Sequence, residues 1–533
     1  MIHTLDQQEE DMPSSDLRLS VLDTAIVNAR VHTFNERDPV FEAAGIQGNR
    51  IATLGSNREV EAQADGKTRI IDAKGRVVLP GFIDAHTHFA HMGVREGYLA
   101  LSDATSKHEA LSRIKELSFD KAPGEWIIAS GWDESHWSDS NDYMTKAELD
   151  AVAPNNPVLL RRVDGHLACV NTRALEILKI PAETIGCEVI AGEATGVLKE
   201  DAVELAGKLL EPNTEGFASG IIAATQIAHR LGVTSIQDAQ VDGRMLRAYR
   251  LLHETGRLKI RASLMLTTEY LDELVTLGLG HGFGDDWLQL GPLKVFSDGS
   301  IGAGTAALSK PYFDDPEELG LLIWQEGELE KIVFKAHKND IQLAIHAIGD
   351  RAIDLVISTL EKVNRQQEKD LRHRIEHAEL LSEEQIARMK ELNIIASMQP
   401  NFVGQWGLAG GMYDHRLGRE RTMLMNPFAS IVKSGVPLVF GSDCMPFNPL
   451  YGIHWALNAP YPMQRISPEQ AFKAYTIGGA YASFEENKKG TIEVGKLADL
   501  IMLDGDPFTD PQDIREMSVE MTILDGKVVY EKP

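Results

Sequence analysis

Short runs of β-branched and apolar residues alternate along the chain with longer charged, Leu- and Ala-rich segments of helical period, which is the pattern of a parallel α/β sheet. The pattern predicts eight strands, in GFIDAHTH (81–88), GVTSIQDA (232–239), IRASLML (260–266), GPLKVFS (291–297), IQLAIHA (341–347), HRIEHA (373–378), NIIASMQ (393–399) and VPLVFGSD (436–443). Helices are expected to follow several of them, over 351–367, 382–392 and 468–484, with Ser382 and Ser467 as N-caps. Eight β/α units predict a (β/α)8 TIM barrel, in which the active site is built where the strands end at their C-terminal face.

Alternating strand-like segments also lie at both ends of the chain. LDTAIVNARVHTF (22–34), AAGIQGNRIATLG (43–55) and TRIIDAKGRVVLP (68–80) precede the barrel, and GKLADLIMLDGDP (495–507) and VEMTILDGKVVYEK (519–532) follow it. Together they predict a composite β-sandwich made from both termini, with QGNR and DGKV as hairpin turns. The expected division is 1–80 and 486–533 for the sandwich and 81–485 for the barrel, with a large insertion after the first barrel strand at about 89–215. A usual βα loop has about 2–6 residues. The insertion is therefore expected to cover the barrel mouth and help define substrate, with Trp132, His136, Trp137, Asp164 and His166 as candidates for a substrate-facing lid. Tryptophan and histidine there serve equally well as the insertion's own core.

Composition narrows the function classes. A chain of 533 residues, 43% of them hydrophobic, has enough apolar material for a large core. The formal net charge of −26 argues against a nucleic-acid partner, because phosphate binding needs a basic surface. The first residues, MIHTLDQQEEDMPSSD, lack the basic-then-apolar order of a cleaved signal, and no run of about 18 apolar residues predicts a membrane span. Cys169, Cys187 and Cys444 are too few and scattered for a disulfide framework or a CxxC metal site, so a cytoplasmic setting is expected.

The polar residues that stand out sit at or near the expected strand ends. His86 and His88 close the first strand, and a His-x-His on a strand puts two imidazoles on one face, a start for a divalent metal site. His346 closes the fifth strand, His377 the sixth and Asp443 the eighth. Each also reads as an ordinary polar cap. Lys294, flanked by apolar residues in the fourth strand, would be costly as a buried unpaired cation, so it requires a partner or loss of its charge. GLGHGFG (278–284) precedes a strand instead of opening a helix, which makes it an αβ loop and not a dinucleotide site. His91 reads as support for the ligand pair, and Cys444 as a small packing residue.

The stretches LPGFIDAHTH, DGHLACVNTRALE, GVLKEDA, LKVFSDGSIGAGTAAL, IHAIGDRAID, HRIEHAEL, SMQPNF, GSDCMPFNP and GTIEVGKLADLIMLDGDPF, in this order, resemble the amidohydrolase superfamily, and within it the YtcJ-like group that includes N-substituted formamide deformylase. The resemblance runs from about Ile26 to Val529. It implies that His86, His88, His346, His377 and Asp443 are metal ligands, that Lys294 is N-carboxylated and bridges two ions, taken as Zn2+, and that Asp443 is the general acid/base. It implies hydrolysis of a non-peptide C–N bond in a small-molecule amide, a linear N-substituted amide or formamide, with a homodimer as the commonest assembly. Cyclic-amide hydrolysis, a mononuclear aminohydrolase (deaminase), and a non-catalytic regulatory protein on the same scaffold are the alternatives. The sequence departs from the group in the loop SDGSIGAGTAAL, where Gly304 stands in place of the usual arginine.

Overall fold

The structure is a computed structural model that describes residues 21–533 except 38, 135, 136, 141, 163–166, 182, 183, 185, 191, 200, 211, 510 and 512. The fold is mixed α/β, and each of the eight expected strands is present, at Phe82–Thr87, Val233–Val241, Arg261–Leu266, Leu293–Phe296, Leu343–Ala347, Arg374–His377, Ile395–Met398 and Leu438–Phe440. No helix among the described residues is long and apolar enough to cross a membrane. The chain divides into two compact units, one holding the residues up to Ala85, His229–Ser235 and Phe296–Pro533, the other His86–Ala228 and Ile236–Val295.

In the first unit Leu343–Ala347, Arg374–His377, Ile395–Met398 and Leu438–Phe440 pair in that order, all parallel, with Ala347 opposite His377 and Ala396 opposite Leu438. Parallel neighbours need crossover connections, which the helices Asp350–Gln366 and Glu383–Glu391 supply. Ser382 caps its helix with a full capping box, its hydroxyl accepting from the Gln385 amide at 3.2 Å while the Gln385 side chain accepts from the Ser382 amide at 3.0 Å. Ser467 does the same with Gln470, and Pro468 occupies the first turn. The helix expected over 468–484 is instead two short ones, Pro468–Ala474 and Ile477–Ala482. A Cβ on Gly479 would lie 2.7 Å from Ile83 Cγ2, and one on Gly478 2.8 Å from the Leu438 carbonyl, so the second piece turns to lay its glycines against strand backbones.

Both chain ends share one six-stranded sheet, in the order Lys527–Glu531, Val519–Leu524, Leu500–Leu503, Val77–Pro80, Arg30–His32, Val40–Phe41. A four-stranded sheet, Arg50–Gly55, Ala43–Gln47, Thr24–Val27, Arg69–Asp72, buries Ile26, Ile46 and Ile71 in the same core as Val78, Leu500 and Ile523. The hairpin turns abut: Gly526, at φ +74°, would carry a Cβ only 2.2 Å from the Gly48 carbonyl.

The second unit contains a six-stranded sheet from the insertion, ordered Cys187–Ile190, Glu193–Lys199, Leu167–Val170, Val158–Arg162, Ile127–Trp132, Leu99–Ala100. Strand alternation sends Ala129, Leu160 and Cys169 to one face, and Leu159, Ala168 and Leu198 to the other. The GLGHGFG segment joins the helix Leu271–Leu277 to an additional strand, Leu288–Leu290, as an αβ loop. The helix Phe89–Arg95 packs on Thr214–Arg230 through Gly93 and Gly220, so closely that a Cβ on Gly93 would lie 1.9 Å from the Gly220 carbonyl oxygen. Backbone cannot step aside as a side chain does. Gly93→Ala is therefore expected to cost about 1–3 kcal/mol by overpacking, read as a lower Tm than that of the parent chain.

Candidate metal centre

In the second unit His86 lies near the end of the strand Phe82–Thr87, and His88 stands at the N-cap of the helix Phe89–Arg95. Their rings are 5.9 Å apart between centroids, as the two-residue strand period requires. Lys294 sits between buried Leu293 and Val295 and is itself 1% exposed, with Nζ 3.4 Å from His86 Nε2. The strand thus delivers an amine into an imidazole site.

In the first unit the parallel strands bring His346 and His377 to adjacent ends, their ring centroids 4.5 Å apart. The Gln399 carbonyl oxygen lies 2.8 Å from His377 Nδ1, which sets that nitrogen as the donor and leaves Nε2 as the ring's lone-pair nitrogen. A ligand atom of His377 and a carboxylate oxygen of Asp443 lie within 4.8 Å of each other. His377, Ala378, Asp443 and Cys444 all have positive φ, at 71°, 50°, 51° and 59°. Left-handed backbone at non-glycine residues costs energy and persists where the surroundings over-determine it, here at the end of the strand Arg374–His377 and just past the strand Leu438–Phe440, where the candidate ligands His377 and Asp443 stand.

Imidazoles, a carboxylate and an amine that can become an oxygen donor are a donor set for zinc or its neighbours. The model of the Amidohydrolase family matches residues 69–530. The chain belongs to the amidohydrolase family. It is 30% identical to YtcJ of Bacillus subtilis (strain 168) over 94% of this chain and 98% of that one. It is 28% identical to an N-substituted formamide deformylase of Arthrobacter pascens, over 96% of this chain and 98% of that one. A metal-dependent hydrolase of Pyrococcus furiosus superposes with TM-score 0.79 at 30% identity, covering 91% of this chain and 99% of that one.

In this amidohydrolase Asp238, Asp298 and Glu379 are buried carboxylates close to the candidate ligands in sequence or by contact. Asp238 accepts from the Phe89 and Ala90 amides at 2.8 and 3.2 Å and from the Tyr249 hydroxyl at 2.6 Å, holding the turn that carries His88. Burial pushes its carboxyl up to about 6 despite those donors. Asp298 accepts from the Ala307, Ile348 and Gly349 amides at 2.9, 3.1 and 2.9 Å, and one of its oxygens lies 3.5 Å from His346 Nε2. Glu379, two residues past His377, accepts from the Tyr413 hydroxyl at 2.6 Å. Burial raises both carboxyls to about 7. Asp238 closes an expected strand, and that position is the one signal that pointed to it. The Asp84 carboxylate accepts from the Ser442 amide at 2.9 Å, next to Asp443.

The insertion's tryptophans belong to its core. Trp132 is fully buried and stacks on Trp137 at 5.7 Å, so of the two readings open for them the packing one describes their place. His136, Asp164 and His166 lie outside the described residues. The His91 ring packs edge-on against Phe217 at 5.3 Å. Cys444 is half-buried, and burial pushes the Cys169 thiol up to about 12. Gly304 has φ +73°, a conformation side chains rarely adopt, which suits glycine at this position.

Proposed function

We propose that this amidohydrolase cleaves the C–N bond of a linear N-substituted amide or formamide, using two divalent metal ions held by His86, His88, His346, His377 and Asp443 and bridged by carboxylated Lys294. The observation that carries this reading is Lys294 itself. An ammonium buried between apolar neighbours and set against an imidazole is a costly arrangement. Addition of CO2 to the neutral amine, with loss of one proton, turns it into an anionic oxygen donor, and the same position then supplies what a divalent ion needs. The family membership and the formamide-cleaving relative support the reaction class. When bound, such an ion polarises the amide carbonyl and lowers the pKa of water.

The chain's own residues do the rest. Asp443 takes the proton of the attacking water and delivers it to the leaving amine as the C–N bond breaks, so that amide and water become acid and amine. Gln399 keeps the His377 ring in one tautomer, while Asp238 and Asp298 hold the turns beside His88 and His346. Elemental analysis of the purified protein, paired with electron density at Lys294, tests the centre. Two metals per chain and a carboxylated lysine are expected. Lys294→Ala should fall to one metal or fewer and recover the second with a short carboxylic acid such as propionate; one metal on the parent chain with a bare amine would overturn the bridge.

A further inference from the structure

The strand Ile395–Met398 carries none of the candidate ligands, yet the turn that follows it reaches one of them and the loop of another. Gln399 Oε1 lies 2.8 Å from His377 Nδ1, and the Phe402 ring stacks on the His377 ring at 5.9 Å and 10°. Two neighbours on one turn thus hold the imidazole in tautomer and in plane. Asn401, between them, is fully buried and engages instead the loop that carries Asp443.

Asn401 Nδ2 donates to the Pro446 carbonyl at 2.7 Å and lies 3.4 Å from the Asn448 carbonyl. Its Oδ1 accepts from the Tyr475 hydroxyl at 3.0 Å, and the same hydroxyl lies 3.4 Å from the Gly441 carbonyl. Gly441 stands before Asp443 and Pro446 after it, so one amide–phenol pair grips the loop on both sides of the carboxylate. Burial, with the Asp84 charge as the second cause, holds the Tyr475 phenol well above its ordinary value. The phenol therefore remains a donor, which fixes the amide with Oδ1 toward it and Nδ2 toward the carbonyls. A Cβ on Gly452 would lie 2.4 Å from both Asn401 Oδ1 and the Tyr475 oxygen, so the helix Pro449–Asn458 leaves room for this pair. Next to the strand end, the Gly441 amide donates to the Met398 carbonyl at 3.0 Å. A loop with positive φ at both Asp443 and Cys444 needs such outside contacts to keep its shape.

We propose that Asn401 is a positioning residue for the reaction: with Tyr475 it clamps residues 441–446 and so sets where the Asp443 carboxylate stands, while Gln399 and Phe402 of the same turn set His377. The proposal rests on the hydrolytic reading above and gives the strand Ile395–Met398 a task in it. Asn401 acts through Asp443 and not on the substrate itself.

Asn401→Leu is nearly isosteric and removes every hydrogen bond of the amide, and Tyr475→Phe removes the phenol alone. Gln342→Met is the matched control, because Gln342 is likewise fully buried and its Nε2 donates to the Arg372 and Ala482 carbonyls at 2.7 and 3.0 Å, just before the strand Leu343–Ala347 begins. Steady-state kinetics use the best-cleaved member of a panel of N-alkylformamides, and the visible spectrum of the Co2+-loaded chains reads ligand geometry without turnover. Asn401→Leu and Tyr475→Phe should lower kcat by about tenfold or more with KM within about twofold, and should shift the Co2+ bands. The double variant should fall little further, since both changes open one clamp. Gln342→Met should lower Tm comparably and leave kcat and spectrum as in the parent; Tyr475→Phe, the milder change, carries the test if Asn401→Leu does not fold. Equal loss of kcat in Gln342→Met and the clamp variants, or parent-like kcat and spectrum in the clamp variants, would overturn the positioning role and leave the hydrolase reading standing. If the parent cleaves no amide, Co2+ bands that move in the clamp variants alone uphold the clamp and remove the amide assignment, while bands absent, or unchanged in every chain, overturn the clamp as well.

Discussion

Asp443→Asn is expected to keep the fold and most of the bound metal while lowering kcat by about 100- to 10,000-fold, the range that a positioned general acid/base supplies. Asparagine is nearly the same size and retains one carbonyl oxygen as a donor. What it loses is the ability to accept a proton from water and return it to the amine nitrogen. The backbone around Asp443 is already committed, with positive φ at both Asp443 and Cys444 and the Asp84 carboxylate on the Ser442 amide. Metal analysis and circular dichroism beside single-turnover kinetics separate the two effects, and parent-like turnover would remove Asp443 from proton transfer.

The largest effect on stability is expected at the buried pair beneath His377. Arg374 and Glu376 are both fully buried, joined at 2.6 Å through Nε and at 2.9 Å through Nη2. The guanidinium also donates to the Ser397 hydroxyl and the Ala85 carbonyl, and Ser397 donates to Glu376 at 2.7 Å. Such a network repays the desolvation of its charges only while it is complete. Glu376→Gln keeps the shape but leaves a guanidinium buried without its anion, and should cost about 3–5 kcal/mol. The double variant Arg374→Met with Glu376→Leu removes both charges and should recover much of that loss. Denaturant midpoints of the three chains decide it; a single variant as stable as the parent would show that the network contributes little.

How much of this was legible beforehand depends on the range of the interaction. The eight strands were readable because each is a run of apolar, β-branched residues bounded by polar ones, and Ser382 and Ser467 were readable because a capping box is complete within four residues. His-x-His was legible for the same reason. The break in the segment 468–484 was not, because it is imposed by Ile83 and Leu438, far away in sequence. Nor were Asp238, Asp298 and Glu379, whose partners lie on other segments of the chain. Trp132 illustrates the limit from the other side: a tryptophan in a polar loop sequence reads as a lid and a core residue alike, and only burial against Trp137 separates them.

By itself the sequence determined the α/β class, the order of the strands, the superfamily resemblance and the candidate ligands at strand ends, because all of these are written in local periodicity and short motifs. Only the tertiary structure decided which buried carboxylates lie close to those candidate ligands, that Arg162 is engaged by Glu134, and that Arg95 and Arg161 line the same cavity. Those are contacts between residues far apart in the chain, and their energies depend on burial and distance, which a linear pattern does not carry.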